Sequence, residues 1–336
     1  MHDDDIRTSD PTTPYVPAAR PLGVIVGYDG SDQANQALHY GARAAQGLGA
    51  RLTVVTAYTV PSMIYVNMAS MPAVPEDVAA LDAAKQVLAE AREQLAGYPG
   101  EVELHAEKGD AAGVLVHLSS RAELAVVGAR GRGGFVGRLL GSVSSALPAH
   151  AHCPTVVVPR QYETGTGEGA DRYAPFQGEA PIVAGVDHSE HSREAARLAA
   201  QAAHNRSAPL LLVTTMQPPE DWGSWYTAMP PDQSVLEQHR ERLLADLENF
   251  ADDSLRPAFP ELTVTCEVEL ADPTTQLVDH SGRAQLTVVG TRGHGRIASV
   301  LLGSVSRTLL QRAEGPVMVV PPLSHGSGEH DPARPR

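Results

Sequence analysis

The sequence is poor in the residues that several function classes depend on. It has two cysteines, Cys153 and Cys266. That is too few for a disulfide framework, and it makes the reducing cytoplasm the expected compartment. Cations are scarce: 26 Lys+Arg stand against 40 Asp+Glu, a formal net charge of −14. A polyanion of this kind is not expected to bind a nucleic acid polymer through its backbone charge. No apolar run approaches the ~18 residues of a membrane span, so no membrane partner is expected. The first residues, MHDDDIRTSDPTTPYVP, are acidic and lack the apolar core of a secretory signal. Neither a GxxxxGK[ST] phosphate loop nor a G-x-S-x-G elbow occurs, which argues against motor-type ATPase and serine hydrolase chemistry. What remains is an ordinary globular profile, 42% hydrophobic and 20% charged in 336 residues. That length suits two domains at roughly 100–200 residues each.

What the chain does have is an internal repeat, at a shift of about 160 residues. Gly128-Ala-Arg-Gly131 returns as Gly290-Thr-Arg-Gly293, and Leu-Leu-Gly-Ser-Val-Ser at 139–144 returns unchanged at 301–306. Val157-Val158-Pro159 returns as Val319-Val320-Pro321, and Gly27-Tyr28-Asp29-Gly30-Ser31 as Gly185-Val186-Asp187-His188-Ser189. The copies are placed at 21–160 and 181–322. Residues 161–180, polar and Gly-rich, read as a linker. The ends, 1–20 and 323–336, read as disordered tails.

Each copy alternates short β-branched runs with helical stretches. In the first, Val24–Val26, Leu52–Val55, Val102–Ala106, Leu124–Val127 and Thr155–Val158 read as strands buried in a parallel sheet. Asp32–Leu48 and Val78–Leu95 read as helices between them. The second copy has strands near 182–186, 210–215, 262–269, 286–289 and 317–320. Five strands alternating with helices give two tandem doubly wound α/β domains with flanking helices, and ligands in such sheets lie beyond the carboxyl ends of the strands.

Two features stand at those ends. After the first strand come Asp29 and Ser31, or Asp187 and Ser189, which serve either as helix N-caps or as a ligand contact. After the fourth, both copies read G-x-x-G-x9-G-S: Gly128, Gly131, Gly141-Ser142 and Gly290, Gly293, Gly303-Ser304. The paired glycines are expected to use φ > 0 and let backbone approach a ligand closely. The Gly-Ser pair, followed by Val143 or Val305, opens a helix whose free N–H groups suit an anion. The same segments are locally basic, with Arg130, Arg132, Arg138 and Arg160 in one copy and Arg292, Arg296, Arg307 and Arg312 in the other.

On these motifs both copies resemble universal stress protein domains, and the chain resembles a tandem member of the ATP-binding branch, over nearly all of residues 22 to 322. The resemblance implies a five-stranded parallel sheet of order 3-2-1-4-5 in each domain and ATP as the ligand, with Mg2+ left open beside it. It places Asp29 and Asp187 near the adenosine end. Gly128, Gly131, Gly141 and Ser142, with Gly290, Gly293, Gly303 and Ser304, would surround ribose and phosphates. Ala57 and Thr215, at the second-strand exits, would meet adenine through backbone groups. Arg130, Val143, Arg292 and Val305 complete the candidate set. The implied role is regulatory, in a stress or growth-arrest response, with a slow ATP hydrolase or phosphotransferase at the same sites as the alternative. The final strands, at the sheet edges, would pair within the chain as a pseudo-dimer, and a homodimer remains open.

The copies also differ. His188 replaces Gly30, and Ala271-Asp272-Pro273 replaces Gly109-Asp110-Ala111, so the two sites need not be equal. Gly293-His-Gly295-Arg-Ile-Ala298 fits a loose dinucleotide pattern, but the other copy breaks it at Val136. His150, His152 and Cys153, like His188 and His191, are metal-ligand types that do not recur between copies, and no metal is expected. Trp222, Trp225 and Tyr226, opposite Ile64 and Tyr65, form a satellite cluster, a lid or a partner contact.

Overall fold

A computed structural model describes residues 15–60, 75–131, 140–164, 169–216, 233–291 and 302–323. Arg132, Arg138, Arg292, Gly293, Arg296, the 293–298 glycine pattern, Val136 and the aromatic group Ile64, Tyr65, Trp222, Trp225 and Tyr226 lie outside the described residues. The first half carries β1 (Val24–Gly27), α1 (Asp32–Leu48), β2 (Leu52–Tyr58), α2 (Glu76–Gln94), β3 (Val102–Lys108), α3 (Ala111–Ser119), β4 (Leu124–Gly128), α4 (Ser142–His150) and β5 (Thr155–Val158). The second carries β6 (Ile182–Gly185), α5 (Glu190–Asn205), β7 (Leu210–Met216), α6 (Gln233–Phe250), β8 (Val264–Leu270), α7 (Pro273–Ser281), β9 (Leu286–Gly290), α8 (Ser304–Arg312) and β10 (Val317–Val320).

Local chemistry fixes the element ends. The Ser31 hydroxyl caps α1 by accepting the Ala34 N–H, and Gly49, at φ 62°, ends it in the left-handed conformation. Ser189, Asp110 and Asp272 cap α5, α3 and α7 in the same way. The inner faces of α1 and α5 are alanine-rich (Ala34, Ala37, Ala45; Ala195, Ala199, Ala203), so both helices lie close on the sheet.

The strands form one ten-stranded sheet in the order β3-β2-β1-β4-β5-β10-β9-β6-β7-β8. Each half therefore has the 3-2-1-4-5 order, all parallel. The halves join where β10 runs antiparallel to β5, with Val317 opposite Val157 and Val319 opposite Thr155. Strands that are edges of their own halves thus become the centre of the whole. One apolar layer, under α1, α2, α5 and α6, and a second, under α3, α4, α7 and α8, both run across this seam. Because the seam is antiparallel, the carboxyl ends of the two sets of strands face opposite ends of the sheet.

Three expectations need correction. The third strand is not buried on both faces: β3 is an outer edge, with Val102, Leu104 and Ala106 turned inward and Glu103, His105 and Glu107 on the other face. Residues 15–20 are not a disordered tail. Tyr15 donates its hydroxyl to the Glu123 carbonyl (2.7 Å), and the Arg20 guanidinium donates to the carbonyls of Ser119, Ala122 and His152. These bonds satisfy carbonyls at the end of α3 and just ahead of β4 and β5, which would otherwise need water. The linker is packed rather than loose: Tyr162, Tyr173 and Phe176 lie against His39 and Tyr40 of α1. Polar composition concealed these aromatic anchors.

Candidate functional site

A cavity of about 500 Å3 opens at the carboxyl ends of β1, β2 and β4. Its wall contains every candidate contact of the first copy: Asp29, Ala57, Gly128, Arg130, Gly131, Gly141, Ser142 and Val143. Residues far apart in the chain converge there because the strand order places β1 between β2 and β4.

The Asp-Ser pair divides its work. Asp29 Oδ1 accepts both the backbone N–H (3.0 Å) and the hydroxyl (2.6 Å) of Ser31, while the Ser31 Oγ accepts the Ala34 N–H (3.2 Å). Serine is the cap, and aspartate orients the serine from the cavity wall. The second copy repeats this: Asp187 Oδ1 accepts from Ser189 N (3.1 Å) and Oγ (2.6 Å), and Ser189 caps onto Ser192.

The glycines act differently from expectation. None of Gly128, Gly131 and Gly141 has positive φ. A β-carbon on Gly128 would lie 2.8 Å from the Gln33 carbonyl oxygen, and one on Gly131 would lie 2.4 Å from Asp29 Oδ2. Gly128 lets α1 pack against β4, and Gly131 lets the loop pass over the Asp29 carboxylate. Close approach, rather than a left-handed backbone, is the reason for both.

The loop is closed by hydrogen bonds. Gly141 N–H donates to the Ala129 carbonyl (3.0 Å), and Ser144 Oγ–H donates to the same carbonyl at 2.7 Å. Helix α4 begins there with Gly141 as N-cap and no side chain capping it. Its first N–H groups therefore face the cavity side without the side-chain acceptor that α1 and α3 have. Tyr28, Asp29 and Arg130 are the ionisable side chains among the described lining residues.

In the second copy Asp187 follows β6, Thr215 lies on β7, and Gly290 ends β9. Gly303 is the uncapped N-cap of α8, followed by Ser304 and Val305. Gly303 N–H donates to the Thr291 carbonyl (2.7 Å), as Gly141 does to Ala129, but Ser306 Oγ–H donates one residue earlier, to the Gly290 carbonyl (2.7 Å). Arg292 and Gly293 lie outside the described residues. One contact is peculiar to this half: His191 Nε2 accepts the Thr291 N–H (3.1 Å) and meets Thr291 Oγ1 at 3.0 Å. Gln33 and Ala129 hold those positions in the first copy.

Of the arginines singled out by sequence, Arg130 lines the cavity, whereas Arg160, Arg307 and Arg312 are exposed. Burial pushes the Cys153 thiol up to about 12, the opposite of what a thiolate metal ligand requires. Sequence reasoning missed the apolar wall, Ala34, Val55, Leu115, Val127 and Leu140, whose residue types also suit an ordinary core. It also missed Ser144, although that serine recurs as Ser306 within the longest repeated block.

The family model described as the universal stress protein family matches residues 23–159 and 180–321. A universal stress protein of Mycobacterium tuberculosis is 35% identical over 312 residues, covering 89% of this chain and 96% of the relative. One from Mycobacterium bovis is 32% identical over 308 residues, covering 88% and 96%. Among solved structures, a universal stress protein from Archaeoglobus fulgidus superposes with a TM-score of 0.61 at 16% identity, covering 91% of this chain and 97% of its own. A universal stress protein solved in complex with cAMP matches 41% of this chain at 27% identity, covering 96% of its own, with a TM-score of 0.32. No helix of the described residues is long and apolar enough to cross a membrane.

Proposed function

The chain belongs to the universal stress protein family, as a tandem member, and on that premise we propose that it binds ATP as a regulatory ligand, in the first domain's cavity and in the matching crevice of the second. The observation that carries this reading is the convergence, on one cavity wall, of Asp29, Ala57, Gly128, Arg130, Gly131, Gly141, Ser142 and Val143. The uncapped start of α4 receives the phosphates, with the Ser142 hydroxyl and Arg130 beside it. Ala57 and the apolar wall of Val55 and Leu115 lie on the side that takes the base. Charge-assisted hydrogen bonds of roughly 1.5–3 kcal/mol each make micromolar affinity attainable with a few contacts. Mg2+ accompanies the phosphates as their counterion.

Regulatory binding is favoured over hydrolysis by the ionisable groups at hand. Asp29 Oδ1 already accepts two hydrogen bonds from Ser31, and no His or Lys stands among the described lining residues to serve as a base. Bound nucleotide then acts by stabilising the closed loop and, with it, the surface that partners meet.

The test is acid extraction of gently purified protein, chromatography of the released nucleotide, and calorimetric titration with ATP. Adenine nucleotide in the extract and saturable binding are expected. The Gly141→Glu, Gly303→Glu double variant should lose both with its fold intact, because a β-carbon at Gly141 meets its neighbours at 3.4 Å or more. No nucleotide and no binding at millimolar ATP would overturn the proposal, and so would full affinity in the double variant.

A further inference from the structure

Beside the second domain's crevice, on the side away from the phosphate loop, the edge strand gathers a metal-ligand set. Glu267 and Glu269, two residues apart on β8, point to the same face, and His280 reaches them from the last turn of α7. One ligand atom from each lies within 4.8 Å of the other two, and His280 Nε2 is 2.8 Å from Glu269 Oε1. We propose that Glu267, Glu269 and His280 form a binding site for a divalent transition ion of the Zn2+ class, independent of the nucleotide.

Three observations carry this. The donors come from two elements and combine one imidazole with two carboxylates, a set that suits Zn2+ with water completing the shell. The carboxylates also lack basic partners: among the described residues no Lys or Arg pairs with Glu267 or Glu269. The first domain treats the same face differently. There Arg51 pairs with Glu101 (2.8 Å) and Glu103 (2.6 Å), and His105 lies between Glu103 and Glu107. The second copy has Pro209 where the first has Arg51, and His280 where the first has Leu118. By strand register Glu267 and Glu269 stand where the first copy has His105 and Glu107, while Arg51's partners Glu101 and Glu103 give way to Thr263 and Thr265. The second copy thus keeps two carboxylates on this face and adds the imidazole of His280 from α7. Finally, His280 is 12% exposed and Glu269 21%, so both ligands are held by packing, while Glu267 is free to close on an ion. Ligands on a tetrahedral Zn2+ are roughly 3.4 Å apart, given bonds of about 2.0–2.1 Å. A change of rotamer at exposed Glu267 is enough to reach that spacing.

The site is not the counterion position of a bound nucleotide. β8 is three strands from β9, whose end opens the phosphate loop, or about 14 Å at ~4.8 Å per strand. It flanks the other side of the crevice, where Glu269 is paired in register with Thr215.

The test uses the full chain, free of affinity tags and stripped with chelator. Titration with Zn2+ should show one site per chain, and Zn2+ should raise the unfolding midpoint. Co2+ should give the visible absorption of a low-coordinate centre. His280→Leu, which installs the first copy's residue, should weaken Zn2+ affinity at least tenfold with an unchanged circular dichroism spectrum. Glu267→Gln, at an exposed position, should also weaken it and serves if the leucine variant does not fold. The Gly141→Glu, Gly303→Glu variant should bind Zn2+ as wild type does, which separates this site from the nucleotide reading. No Zn2+ uptake at millimolar concentration, or equal uptake in wild type and both ligand variants, would overturn the proposal.

Discussion

The Arg206 guanidinium, at the end of α5 in the second domain, donates to the Tyr40 hydroxyl of the first at 2.8 Å in a buried contact. The linker completes the junction. Phe176 lies with its ring 4.7 Å from that of Tyr40, and the guanidiniums of Arg206 and Arg43 stand 4.3 Å and 4.1 Å from its centroid. Arg43 also donates to the Ala174 carbonyl at 2.8 Å, so the linker is tied to both domains. The β5–β10 seam is short, and this cluster is its second support.

Removing the hydroxyl alone tests the junction. Tyr40→Phe keeps the ring but leaves a buried guanidinium N–H without an acceptor. The expected loss is about 1.5–3 kcal/mol, the usual range for a hydrogen bond to a charged group. It should appear as a lower midpoint in denaturant with earlier proteolytic cleavage in the linker. An unchanged midpoint would mean that water replaces the hydroxyl.

Acid should loosen the same junction through His39. Its ring is buried, Nε2–H donates to the Arg172 carbonyl (2.9 Å), and Nδ1 faces the Tyr162 hydroxyl at 3.3 Å. Burial lowers its pKa from 6.5 to about 4, with Arg43 and Arg172 adding to the fall. Between those values the unfolded chain takes up the proton and the folded chain does not. The His39 contribution is therefore full above about pH 6.5 and shrinks toward pH 4, by on the order of 2 kcal/mol once solvent screening is allowed for. His39→Gln retains a donor and cannot titrate, so its midpoint should fall less between pH 7 and pH 5 than that of the wild type. Parallel curves would remove His39 from the account.

The repeat made the two-domain plan and the residues of the glycine loops legible, because duplication marks which residues matter to the unit, while the strand order came from the family resemblance. Asp29, Gly128 and Gly141 stood out in that way and meet in one cavity. What duplication does not mark is what the copies do not share. The junction of Tyr40, Phe176 and Arg206 occurs once, its residues are far apart in the chain, and each has an ordinary reading alone. The physical cause of the glycines was also hidden. A left-handed turn and a close approach call for the same residue, and only the neighbours, Gln33 and Asp29, tell them apart.

That distinction can be tested with alanine. Gly128→Ala forces a β-carbon to 2.8 Å from the Gln33 carbonyl oxygen, so α1 must move off β4. A global loss of about 1–3 kcal/mol is expected, as for other overpacked sites. Gly131→Ala instead presses on the Asp29 carboxylate, a side chain on the cavity wall. It should weaken ATP binding while leaving the unfolding midpoint nearly unchanged. Calorimetry and denaturant melts on both variants read the two effects separately. If Gly131→Ala binds ATP as well as wild type does, Asp29 does not contact the nucleotide.

The remaining asymmetry lies at Thr291. His191 Nε2 accepts its N–H and meets its hydroxyl, which fixes the start of the second loop to α5. The first domain has no equivalent, since Ala129 lacks a hydroxyl and Gln33 is not a ring acceptor. His191→Leu removes the acceptor and frees the loop to sample conformations in which α8 and β9 are less well aligned. In a Gly141→Glu background, where only the second crevice can bind, that change should lower ATP affinity roughly fivefold, equivalent to one ordinary hydrogen bond of about 1 kcal/mol. In a Gly303→Glu background, where only the first crevice is open, the same substitution should have no effect. A loss in both backgrounds would show that His191 acts on global stability; a loss in neither would show that the second loop closes without it.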